Sequence, residues 1–169
     1  FTAYCIFLFV ARGLLKTSDS IQKYLPELPS FSKTITINHL LSHTSGIPDH
    51  FELFGLKNQY HNKYLTADFV FKFLNQAPFL SFPPGERFAY SNTGYMLLCW
   101  IVERVSGKSM ENYAKENIFL PLNMTSAKYT FFEKDGLIDG TSSYYWKKNK
   151  FKKFSSIIPN AMGATGVYC

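Results

Sequence analysis

The sequence predicts an α+β fold in which helix dominates and a small β part comes last. Three observations carry this. Apolar residues recur at helical spacing in most of the segments before residue 120, the only clear strand character lies after Tyr129, and no internal repeat or low-complexity tract interrupts the chain. With 169 residues, 46% hydrophobic and 18% aromatic, the chain is long and apolar enough for one domain with a real core, which argues against disorder.

A buried helix is expected over about residues 2–15, ending near Gly13. Its apolar run from Tyr4 to Ala11 is too short for a membrane span and lacks the basic start and small-residue cleavage site of a signal peptide. A polar linker follows through Pro29. A short helix over 37–42 is capped by Thr36 or Asn38, then Gly46-Ile47-Pro48-Asp49 turns the chain. Residues 49–63 read as an aromatic, polar loop. A helix over 66–75, with Thr66 as cap, places Phe69, Val70, Phe73 and Leu74 at helical spacing. Residues 79–84 lead into a turn, and the next helix, about 94–106, is apolar nearly all round until Glu103-Arg104 and should be buried. Gly107 ends it. Ser109 caps a further helix to about Ile118, with Glu111 and Glu116 placed for pairing with Lys115 and its neighbours, and Pro121 stops it.

The most informative stretch is Pro84-Gly85-Glu86-Arg87-Phe88-Ala89-Tyr90-Ser91-Asn92-Thr93-Gly94-Tyr95. It sets a phenol, a hydroxyl and a carboxamide on a short turn before an apolar helix that Asn92 or Thr93 can cap. A turn held by a buried helix can present the Tyr90 hydroxyl and the Asn92 amide to a cleft at fixed separation, as a proton shuttle and an orienting amide require. On spacing alone, a packing tyrosine and a capping asparagine explain the turn at least as well.

This block resembles the second active-site motif of the serine β-lactamase and penicillin-binding-protein superfamily, in its class C β-lactamase-like branch. Ile37-Asn38-His39-Leu40-Leu41-Ser42-His43-Thr44-Ser45-Gly46-Ile47 is similar to that branch's hallmark segment ahead of the motif. Phe1-Thr2-Ala3 resembles the continuation of its nucleophile helix, and Tyr24-Leu25-Pro26-Glu27 its next landmark. The four landmarks fall in order over roughly residues 1–130; residues 131–169 match weakly. The resemblance implies a helical domain beside an antiparallel sheet, with most of that sheet missing from this chain. It also implies a single partial domain, 1–169, truncated at both ends. The family's Ser-x-x-Lys would lie just before Phe1, and its Lys- or His-Thr-Gly motif beyond the region of Gly163-Ala164-Thr165-Gly166.

By this resemblance Tyr90 is the catalytic proton carrier and Asn92 the substrate-binding amide of an acyl-enzyme serine hydrolase cleaving an amide or ester. The partner is a small-molecule or peptide acyl substrate, no cofactor is implied, and a periplasmic or extracellular location is suggested. The chain alone is expected to be inactive, and aggregation-prone or partly folded. A non-catalytic relative binding peptidoglycan-like or peptide ligands, or a truncated gene remnant, are the alternatives.

Two Ser-x-x-Lys matches, Ser20-Ile21-Gln22-Lys23 and Ser30-Phe31-Ser32-Lys33, are not read as the nucleophile. That chemistry needs Ser and Lys one turn apart on a helix facing a cleft. The first lies in a short polar stretch closed by Pro26, and the second precedes a β-branched run. His43 is read as structural and Ser91 as having no catalytic role. Cys5, Cys99 and Cys169 form no framework or metal-ligand spacing, the first two reading as buried thiols, and the four histidines suggest no metal site. The net charge of +6 is concentrated in Lys147, Lys148, Lys150, Lys152 and Lys153. These fit a hairpin turning near Asn149, with aromatics on one face and lysines on the solvated face and tip. Nucleic acid is not the expected partner, although basic residues interleaved with Trp146, Phe151 and Phe154 can also bind it, or an anionic glycan or membrane surface.

Overall fold

The computed structural model describes residues 1–50, 67–76, 79–129, 143–154 and 167–168. Among these residues five α-helices and four short strands follow in order: α1 (Thr2–Ala11), α2 (Ile37–Leu41), α3 (Ala67–Gln76), α4 (Asn92–Ser106), α5 (Met110–Ala114), β1 (Lys128–Tyr129), β2 (Ser143–Lys147), β3 (Lys150–Phe154) and β4 (Val167–Tyr168). Helix thus dominates, with two antiparallel pairs, β1–β4 and β2–β3, as the described β-structure.

Helix α4 is the axis of the core. Every residue from Met96 to Val102 is buried, as its nearly continuous apolar sequence predicts. It packs against α1 through Cys5, Ile6 and Phe9, against α2 through Ile37 and Leu40, and against α5 through Met110, Tyr113 and Ala114. Each fully buried Leu, Ile or Met contributes roughly 1.5–3 kcal/mol by leaving water. Gly107, in the left-handed conformation at φ 67°, ends the helix by returning its N–H to the Glu103 carbonyl.

The sequence reading needs correction at several points. Helix α1 stops at Ala11, and only one of its faces is buried: Tyr4 and Phe7 are exposed. The stretch read as a polar linker contains a 3₁₀ turn, Ile21–Lys23, whose first residue is buried with Leu25 and Leu28. A second 3₁₀ segment, Ser30–Thr34, occupies ground where no helical period is visible, because five residues are too few to show an amphipathic repeat. Thr36 caps α2 in a reciprocal box with His39. The helix expected to run to Ile118 widens after Ala114 into a π turn, Lys115–Phe119, which buries Ile118 and Phe119 together while Lys115 and Glu116 stay outside. Glu116 pairs with Lys108 rather than Lys115.

The Lys-rich segment is a hairpin as expected, with Lys148 and Asn149 at its turn, both at positive φ. Its faces do not divide as expected: Tyr145 lies opposite Lys152 on the face of Lys147 and Lys150, and the face carrying Tyr144, Trp146 and Phe151 is itself exposed. Trp146 and Phe151 face each other edge-on at 4.9 Å, on the face that also carries Tyr144. Cys5 and Cys99 are buried free thiols, and burial raises both pKa values, that of Cys5 to about 11. Among the described residues no helix is long and apolar enough to cross a membrane. Most of the 49–63 loop, Thr66, the 130–132 strand run, residues 163–166 and Cys169 lie outside the described residues.

Candidate active site

The turn before α4 is held by the segment 43–50, and that docking defines the site. Residues 43–46 run alongside 81–89: Ala89 N–H donates to His43 O at 2.9 Å, Gly85 N–H to Thr44 O at 2.8 Å, and Ser81 N–H to Gly46 O at 2.8 Å. The approach is so close at Gly46 that a Cβ there would stand 2.1 Å from the Phe82 carbonyl oxygen. Gly46 also has φ 74°, so both space and backbone require glycine.

Ser91, not Asn92 or Thr93, is the N-cap of α4, which starts two residues earlier than the sequence suggests. Its backbone is extended and its Oγ accepts from Gly94 N–H at 3.3 Å. Thr93 is unavailable as a cap because its hydroxyl is spent elsewhere. It donates to the Pro48 carbonyl at 2.9 Å and accepts from the His50 N–H at 3.0 Å. With the Thr93 proton so placed, His50 Nδ1, 2.9 Å away, is the donor of that contact. Both residues are fully buried.

His43 braces the other side. It adopts φ 55°, rare for a residue with a Cβ, and its Nδ1 accepts from the Ser91 N–H at 3.2 Å. Its ring lies against Tyr90 at 4.5 Å and stacks on Tyr95 at 4.9 Å. Accepting at Nδ1 requires a neutral ring, and burial depresses its pKa accordingly. Burial, with the nearby Tyr90 phenol adding, raises the pKa of Tyr95, whose hydroxyl donates to the Leu41 carbonyl at 3.3 Å.

Tyr90 and Asn92, the two residues expected to carry chemistry, are brought together. Tyr90 is 57% exposed, and its hydroxyl donates to Asn92 Oδ1 at 3.2 Å. Asn92 is half-buried, and its Nδ2 donates to Asp49 Oδ2 at 2.9 Å. The backbone N–H of Asn92 donates to the same oxygen. The neighbours therefore assign the amide: a carboxylate only accepts, so Nδ2 faces Asp49 and Oδ1 faces Tyr90. A phenol and a carboxamide in contact, one exposed and one anchored, form a unit able to pass a proton and orient a carbonyl.

Neither Ser-x-x-Lys match joins this site. Ser20 Oγ is bonded to the Ser32 carbonyl and the Gln22 N–H, and Lys23 pairs with Asp19. Ser30 and Lys33 are exposed on their 3₁₀ turn. Asp49, His50 and the locking role of Thr93 were missed by the sequence reading. The sequence shows only that an Asp directly follows the Gly46-Ile47-Pro48 turn, and its burial comes from the fold.

A family model, "Beta-lactamase", matches residues 1–168. This chain belongs to the β-lactamase family. Within it, the chain is 38% identical over 128 residues to penicillin-binding protein 4* of Bacillus subtilis, covering 76% of this chain and 28% of that protein. It is 30% identical over 138 residues to a putative D-alanyl-D-alanine carboxypeptidase of Escherichia coli, covering 73% of this chain and 30% of the relative. The crystal structure of a penicillin-binding protein from Bacillus halodurans superposes with a TM-score of 0.69 at 34% identity, over 90% of this chain and 46% of that one. The chain thus spans under a third of the two curated relatives. The helical architecture around α4 is that of the β-lactamase and penicillin-binding-protein fold.

Proposed function

We propose that the complete protein is a serine acyl hydrolase that cleaves an amide or ester through an acyl-enzyme, with Tyr90 and Asn92 as site residues. The observation that carries this reading is the Tyr90 hydroxyl resting on an Asn92 amide whose other end is anchored. The nucleophile is the serine of the family's Ser-x-x-Lys motif, which the two matches within these 169 residues do not supply. Its Oγ forms a bond to the substrate carbonyl carbon while its proton passes into a network shared by the motif lysine and the Tyr90 phenol. Tyr90 then delivers a proton to the departing amine or alcohol as the carbonyl–leaving-group bond breaks. Water attacks the acyl-enzyme with the same groups taking its proton, which returns the free serine and the carboxylic acid. Asn92 Oδ1 faces this network, and its amide nitrogen donates to the acyl-amide carbonyl of the substrate.

A penicillin-type acylating probe and a simple ester fit this acyl-transfer chemistry. Substrate choice within that class is not encoded in Tyr90 or Asn92. These 169 residues by themselves are expected to be inert, because the nucleophile lies outside the motifs they carry. The test is to incubate the complete protein with a fluorescent penicillin and with p-nitrophenyl butyrate. Covalent labelling and ester turnover are expected, with Tyr90→Phe lowering kcat by about 10²–10⁴-fold. Failure of the wild-type protein to react with either compound overturns the hydrolase reading, and retained ligand binding without turnover would favour a non-catalytic binder.

A further inference from the structure

We propose that Asp49 is the positioning residue of this site: its buried carboxylate, bonded to both the backbone and side-chain nitrogens of Asn92, sets which face of the Asn92 amide meets Tyr90. The inference rests on the acyl-hydrolase reading for its catalytic consequence, but not for its geometry.

An asparagine amide rotates about a broad, nearly two-fold torsion, and its two orientations have almost the same shape. Only the partners choose between them. In the observed orientation Nδ2 donates to Asp49 Oδ2 at 2.9 Å and Oδ1 accepts from Tyr90 at 3.2 Å. Turned over, Oδ1 would stand against the carboxylate, acceptor to acceptor, and Nδ2 would confront the Tyr90 oxygen. The carboxylate therefore selects one orientation by charge, which neither a neutral nor an apolar side chain would do as strongly.

Asp49 is itself well placed to hold still. It is 5% exposed, and its oxygen receives the Asn92 backbone N–H at the first turn of a 15-residue helix, where the helix dipole favours an anion. Its neighbours on both sides in sequence are tied down as well, since the Pro48 carbonyl and His50 are locked onto Thr93. One hydrogen of the Asn92 amide points to Asp49, which leaves the second for a substrate carbonyl and the oxygen for the proton network. Both roles of Asn92 thus depend on a residue that touches neither substrate nor the reacting atoms.

The experiment uses the complete protein, with Asp49→Leu, Asp49→Asn and Asp49→Ser compared with wild type. Leucine keeps the size and removes the acceptor, asparagine keeps an acceptor without the charge, and serine is too short to reach the amide. Kinetics on p-nitrophenyl butyrate are expected to show kcat falling about 10²-fold for Asp49→Leu, as for a misplaced catalytic group. Asp49→Asn, which keeps an acceptor but not the charge, should fall between wild type and Asp49→Leu, with KM changing little in either variant. A plain helix cap would instead lower stability in Asp49→Leu while leaving kcat of the folded protein unchanged, and that split overturns the proposal. The second readout needs no activity: a neutron or atomic-resolution crystal structure, which separates amide nitrogen from oxygen, of Asp49→Leu, or of Asp49→Ser should leucine prevent folding. An Asn92 amide that is displaced, or turned so that Nδ2 rather than Oδ1 meets Tyr90, supports the proposal. An amide that still presents Oδ1 to Tyr90 as in wild type refutes it. Should wild type hydrolyse nothing, the hydrolase reading falls and the crystal structure alone decides whether Asp49 positions Asn92.

Discussion

Replacing Thr93 by valine separates the hydroxyl of the lock from its shape. Valine is nearly isosteric, so the fully buried site keeps its volume, but three contacts go: the bond to the Pro48 carbonyl and those from the His50 N–H and Nδ1. At about 1 kcal/mol net for each neutral hydrogen bond, the loss is about 3 kcal/mol. The greater affinity of a methyl than a hydroxyl for the interior offsets up to about 1 kcal/mol of this. A net destabilisation of about 2–3 kcal/mol remains. Thr93→Ser keeps every one of these bonds and removes one methyl, for about 1 kcal/mol. The ordering is therefore the test: urea unfolding of the complete protein should place Thr93→Ser between wild type and Thr93→Val. A Thr93→Val protein as stable as wild type, or more stable than Thr93→Ser, would refute the claim that the hydroxyl, and not packing, locks residues 48–50 to the helix. Against a total stability of about 5–15 kcal/mol the predicted loss is readily measured.

Acid should loosen the same region. Burial holds both His43 and His50 below the ordinary imidazole range, with Asp49 opposing the shift in each. The unfolded chain therefore binds more protons than the fold between those depressed values and about 6.5, so stability rises with pH through that window. The contribution is complete above about pH 6.5 and lost as pH falls toward the folded-state values; a urea midpoint at pH 5.0 equal to or higher than that at pH 7.5 would contradict it. Gly46→Ala combines a Cβ 2.1 Å from the Phe82 oxygen with a backbone at φ 74°. It should cost about 2 kcal/mol or more, and a thermal midpoint unchanged by this substitution would count against the close approach of residues 46 and 82.

Much of the helical frame was legible because it is written locally. The continuous apolar run from Met96 to Val102, in a segment of helical length ended by Gly107, reads as a buried helix, and Ser109 caps the next one as its side-chain chemistry allows. Tyr90 and Asn92 were singled out by the resemblance of their block to a family motif, because spacing alone left a packing tyrosine and a capping asparagine equally open; their contact across the turn is what the structure adds. What the sequence concealed is the scaffolding. The bonds from Ser91 to His43 and from Asn92 to Asp49 cross 48 and 43 residues, and nothing in local propensity encodes such pairings. The misplaced cap has the same origin: Thr93 is a good capping residue by type, but Pro48 and His50 claim its hydroxyl. The short 3₁₀ turns and the π turn escaped because they lack a repeat long enough to register as periodicity.

The lock between residues 48–50 and 92–93 also bears on how the chain between them can change. Closing a loop costs conformational entropy that grows only with the logarithm of its length, about 0.6 kcal/mol for each doubling. The lock closes a loop of 43 residues, and its strength resides in Asp49, His50 and Thr93 at the ends. An insertion between those ends would thus add little thermodynamic burden and leave the Tyr90–Asn92 geometry in place. That tolerance stops at residues 81–89, which pair with 43–46, and at Val70 and Leu74, which belong to the core.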